Sequence, residues 1–112
     1  MSQNNVLELT RKLGREPNID TALHILQWEL GDLTKSHVHM KWYTDPDRRK
    51  AWKAECMHAL GSILFQTAVI AKLLGYEFNG LITFGVDTVK DRIVDKEKKS
   101  GRFESYVGEG KK

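Results

Sequence analysis

Cysteine is almost absent: Cys56 is the single one in 112 residues. A disulfide framework and a cysteine-built zinc site are therefore excluded. With two prolines and nine glycines, the chain is neither collagenous nor proline-rich. Excess charge is small as well, since 18 basic against 15 acidic residues leave +3. Such a balance does not announce a nucleic-acid binder, although the isoelectric point is near 9.0. Long apolar runs are missing too. The longest stretch without formal charge, Cys56 to Ala71, is sixteen residues and contains His58, Ser62, Gln66 and Thr67. A membrane span needs about 20 strongly apolar residues. The polar start, Met1 to Asn5, does not resemble a signal-peptide core. The expectation is a cytoplasmic domain with no membrane partner.

What is present is an ordinary globular balance, 40% hydrophobic and 29% charged. The periodicity predicts an all-α fold of four helices, because no segment alternates with period two. A short helix is expected from Gln3 to Leu13. Asp20 is the expected cap of a long second helix, from Thr21 to Trp42, with Leu23, Leu26, Leu30, Leu33, His37 and Met40 as its packing stripe. Asp45 and Pro46 open a third helix that stops at Gly75. Asn79 starts a fourth, with Ile82, Val86, Val89 and Ile93 on one face, ending near Ser100-Gly101. Residues 1–100 form the expected domain and 101–112 a polar, flexible tail. The third helix is apolar nearly all round, centred on Leu60, which implies cover beyond one four-helix chain. A second subunit is the expected cover, since so small a chain buries only a modest core.

Two polar pairs interrupt this packing. Glu29 and Asp32 stand on the second helix, and Glu55 and His58 on the third, each spaced i, i+3 on one face. Counted from the turn at Thr44-Asp45, the pairs lie at similar heights on antiparallel neighbours. An acidic pair on an exposed helix is ordinarily a solvated face. Two pairs at one level are different, because gathered carboxylates repel and burial raises the cost of their charge. A divalent cation relieves both, and carboxylate oxygens suit Mg²⁺.

The order and spacing of these pairs resemble the all-alpha nucleoside triphosphate pyrophosphohydrolases, the MazG-like superfamily. Its mark is an ExxE pair on one helix and an ExxD pair on the next. Glu29-Leu30-Gly31-Asp32 takes the first place and Glu55-Cys56-Met57-His58 the second, with 22 residues between. The resemblance covers Asp20 to Arg92. It implies a four-helix bundle completed by oligomerisation, as a homodimer or homotetramer. The implied reaction is hydrolysis of an NTP or dNTP to the monophosphate and pyrophosphate. Glu29, Asp32, Glu55 and His58 would hold Mg²⁺ or Mn²⁺, with Glu29 or Glu55 activating water. Asp87, Lys90 and Arg92 are the nearest matches to the residues the family turns toward substrate phosphates. His58 stands where the family has Asp, and imidazole suits transition metals better than Mg²⁺. The site is thus tuned to another ion, works with three carboxylates, or belongs to a catalytically impaired oligomeric or nucleotide-binding module.

Other chemistries have less support. Cys56 reads as a small core residue, and no glycine-rich phosphate loop is present. A nucleic-acid partner is not expected, because Asp45 and Asp47 flank the run Arg48-Arg49-Lys50, and Glu97 and Glu104 break up Lys96, Lys98, Lys99 and Arg102.

Overall fold

Three local signals set the helix ends in a computed structural model that describes the backbone of residues 5–107 and the side chains of residues 5–98. Among the described residues the fold is all-α: α1 Val6–Lys12, α2 Ile19–Trp42, α3 Pro46–Leu74 and α4 Phe78–Val107, with no strand. Asn18 caps α2, its side-chain oxygen accepting from the Thr21 N–H at 2.8 Å. The expected cap, Asp20, lies instead in the first turn, where a carboxylate still opposes the positive helix end. Asp45 caps α3 by accepting from the Arg48 N–H at 3.0 Å, and Pro46 occupies the first turn. Gly75 ends α3 with φ at 84°, a left-handed conformation that a Cβ disfavours. α4 continues to Val107, beyond the expected stop at Ser100-Gly101. The start of the expected first helix (3–4) and the end of the expected tail (108–112) lie outside the described residues.

The chain falls into two compact units, Met1–Phe78 and Asn79–Lys112. In the first, α2 and α3 form an antiparallel hairpin joined by Tyr43, Thr44 and Asp45, and α1 packs on α3. Val6, Ala22, Ala68 and Val69 form its core, with Leu7, Phe65, Ile70 and Phe78 packed around them. Thr10 is buried at no polar cost, its hydroxyl donating to the Val6 carbonyl at 2.7 Å. Among the described residues alanines supply four of the six buried hydrophobic side chains, so little large apolar surface is hidden.

The expected stripe on α2 is displaced. Leu23 and Leu30 are exposed, whereas Ala22 and Ser36 are buried and Ile25, Leu26, Glu29 and Leu33 are half-buried. The seam therefore runs through positions 22, 29 and 36, one residue before the leucines at 23 and 30, because small side chains let the backbones approach. On α3, Met57, Leu60 and Leu64 are likewise exposed within this chain. α3 is the one helix among the described residues long and apolar enough to cross a membrane by length and composition, and 22% of its apolar window is buried within this chain.

The second unit consists, among the described residues, of α4 beyond Phe78. Its stripe Ile82, Val86, Val89 and Ile93 is exposed, at 51%, 48%, 53% and 51%. A lone helix cannot bury its own apolar face.

Candidate functional site

Glu29 lies on the face of α2 that packs toward α3. Ala22 and Ser36, seven residues to either side and so on the same face, are both buried. Helical spacing thus forces a carboxylate into the seam, where it is half-buried. Asp32 stands one turn further on and is exposed. Both line a cavity of about 500 Å³ with Ile25 and Trp28 of α2, Ser62, Phe65 and Gln66 of α3, and Leu13 and Arg15 before α2. Among the described residues neither carboxylate is ion-paired. The cavity lining therefore includes two acidic groups from α2, the arginine before it, a hydroxyl and an amide from α3, and two aromatic residues.

Glu55 lines a different cavity, about 580 Å³, with Lys35, Tyr43, Arg48, Ala51 and Trp52. Glu55 and His58 are both exposed. They precede Ser62 and Phe65 by seven residues, so they share the flank of α3 that carries the first cavity. Two turns separate Glu55 from Ser62, roughly 10 Å along the helix. Glu29 consequently shares its cavity with Ser62 and not with Glu55. The count from the turn puts the two pairs within about one turn of each other, whereas Glu55 stands two turns from the Ser62 that shares the cavity of Glu29. Among the described residues no three His, Cys, Asp or Glu side chains gather as a metal-holding group.

The smaller donor set at the first cavity does suit a hard cation. Mg²⁺ commonly takes one or two carboxylates and completes its shell with water and substrate phosphates. Glu29 and Asp32 provide the carboxylates, and Ser62 and Gln66 offer further oxygens.

Asp87, Lys90 and Arg92 lie on α4 in the second unit, all exposed. Asp87 and Lys90 are three apart and share a face, but Lys90 and Arg92 are two apart and point to different sides. They do not form a single phosphate-binding surface on their helix.

Arg15, Ser62 and Gln66 were not singled out by motif. Their signal was weak but present: Ser62 and Gln66 are polar residues inside an otherwise apolar run. A second cluster also emerges at the hairpin tip. The ring of His39 stacks on Trp52 at 4.4 Å and lies 5.3 Å from Trp42 and 6.1 Å from Tyr43, while the Arg48 guanidinium lies 5.1 Å over the Tyr43 ring.

No protein-family model matches this chain, and comparison with curated proteins and with solved structures finds no match.

Proposed function

We propose that this chain is a metal-dependent nucleoside triphosphate pyrophosphohydrolase of the MazG-like kind, cleaving an NTP or dNTP to the monophosphate and pyrophosphate. The observation that carries this reading is the pairing of Glu29 and Asp32 in one cavity with Arg15, Trp28 and Phe65. A triphosphate combines a polyanion with a planar base, and the cavity walls combine cation-holding carboxylates with aromatic faces. Glu29 and Asp32 would hold Mg²⁺ or Mn²⁺. The ion, when bound, would neutralise phosphate charge and polarise the anhydride. Arg15, which lines the cavity, would meet phosphate oxygens directly. Trp28, 70% exposed, presents a ring on which a base stacks. Glu29, half-buried at the seam, would orient the attacking water and accept its proton. Glu55 belongs to the neighbouring cavity and is the weaker candidate for that role.

A homodimer or homotetramer is part of the same proposal. Met57, Leu60 and Leu64 follow one another at three and four residues on α3 and are 65%, 49% and 55% exposed. That stripe is what a second subunit would cover.

The second reading is a catalytically impaired module that retains nucleotide binding. It is favoured by the separation of Glu55 and His58 from the cavity that holds Glu29 and Asp32. Pyrophosphate release from a panel of NTPs and dNTPs, with Mg²⁺ or Mn²⁺, distinguishes the two. Release that is lost in Glu29→Gln supports the enzyme. Metal-dependent binding of a non-hydrolysable triphosphate without any release supports the impaired module.

A further inference from the structure

We infer that the tip of the α2–α3 hairpin is a binding surface for single-stranded nucleic acid. The first observation is charge. Residues 35–53 carry six cations, Lys35, Lys41, Arg48, Arg49, Lys50 and Lys53, against Asp45 and Asp47. That is +4 over these residues, and +3 with Glu55, which lines one of the cavities at the tip. In sequence the two aspartates offset this run. In the fold the Asp45 carboxylate accepts from the Arg48 backbone N–H and closes the start of α3. Among the described residues none of the six cations is ion-paired.

The second observation is the aromatic cluster interleaved with those cations. Trp42 is 70% exposed, and His39 bridges it to Trp52. The His39 ring is held in place, because its Nδ1 lies 2.8 Å from the Lys35 carbonyl and donates to it. Tyr43 and Trp52 line one cavity with Lys35 and Arg48, while Arg49 and Lys53 line another, of about 640 Å³, with His37 and Met40. Cations thus stand beside cavities on two faces of the hairpin, with rings at its end. Phosphates need the first and unstacked bases the second, and every base offers a face for stacking whatever its sequence. A duplex hides those faces, so the surface fits a single strand. Glu55 lines the first of these cavities with Tyr43, Trp52, Lys35 and Arg48 and is its one acidic side chain.

This inference is independent of the hydrolase reading, because it uses no residue of the Glu29–Asp32 cavity. The test is fluorescence anisotropy of labelled oligo(U) and oligo(dT) with the full chain, without metal or triphosphate, across a salt series. Inorganic polyphosphate, a mononucleotide and a duplex serve as competitors. Binding of either oligonucleotide is expected at low salt, with the logarithm of the affinity falling by about 0.7 per phosphate contact for each tenfold rise in salt. Trp42→Ala, whose fold is checked by circular dichroism, should weaken binding roughly fivefold or more. Arg48→Ala should reduce the salt slope by about 0.7, while Lys12→Ala on α1 should leave it unchanged. No binding at low salt would overturn the inference. So would polyphosphate competing as well as oligonucleotide with Trp42→Ala silent, tighter binding of duplex, or binding of the mononucleotide alone.

Discussion

The imidazole of His39 lies 4.4 Å from the indole of Trp52, with their planes 26° apart, and so joins the last turns of α2 to the first turns of α3. Its Nδ1 donates to the Lys35 carbonyl one turn earlier, which fixes the ring's direction. The hairpin is therefore closed at its tip by a stacked pair as well as by the Asp45 cap.

Removing that stack should loosen the hairpin. His39→Ala is expected to cost about 1 kcal/mol, the range for an aromatic pair beyond its area burial. Urea unfolding followed by circular dichroism measures it, with His37→Ala as comparator. His37 is exposed and belongs to none of these ring contacts. Equal losses at the two positions would show that the stack contributes nothing of its own.

Asn18 makes the other measurable closure. Its side chain satisfies the Thr21 N–H at 2.8 Å, so Asn18→Ala should destabilise by about 1 kcal/mol. Asp20→Asn should change stability by less, since Asp20 acts only through its charge near the helix start. The comparison distinguishes the observed cap from the one that sequence spacing suggested.

Two glycines should respond in opposite directions. At Gly75 an added Cβ meets nothing within 4 Å, yet φ is +84°. Gly75→Ala is expected to cost roughly 1 kcal/mol from backbone strain alone. Gly31 also has open space around a Cβ, but it is an ordinary helical residue. Gly31→Ala should stabilise by about 0.5–1 kcal/mol. Thermal unfolding of both variants reads the two signs directly.

For the proposed hydrolase, the two glutamates should behave differently. Glu29→Gln keeps shape and removes the base, so pyrophosphate release should fall by at least about a hundredfold. Glu55→Gln should have the smaller effect, because Glu55 lines the neighbouring cavity. Steady-state release from the preferred triphosphate, measured at saturating metal, compares them. A larger loss at Glu55 would mean that the working site is assembled around Glu55 and His58.

The proposed assembly has its own test. Leu60→Glu places a charge in the exposed stripe between Met57 and Leu64. Sedimentation velocity should find the wild-type chain as a dimer or tetramer and the variant shifted to monomer. A monomeric wild type would remove the oligomer from the proposal.

Much of the fold was legible from local chemistry. Asp45, Pro46 and Gly75 act within a few residues of themselves, and the ends of α3 follow from them. The register of α2 was less legible. Leucines at 23 and 30 are the stronger hydrophobic signal, but close helix contact selected the seam of Ala22 and Ser36. The same shift carried Glu29 into the seam, so a residue on the flank of the leucine stripe became the half-buried member of the site. The end of α4 was misread because charge and glycine weaken a periodic pattern without stopping a helix.

The sequence alone determined that this chain is helical, where α3 begins and ends, and that two polar pairs recur on α2 and α3. Those properties rest on backbone conformation and on the 3.6-residue repeat, which neighbouring residues control. Tertiary structure alone decided that Glu29 and Asp32 share a cavity with Ser62 and Gln66 while Glu55 lines another with Arg48 and Trp52. That outcome depends on the axial register of one helix against the other. A shift of a single turn, roughly 5.4 Å, changes which side chains meet, and the packing of alanines at the seam sets that shift.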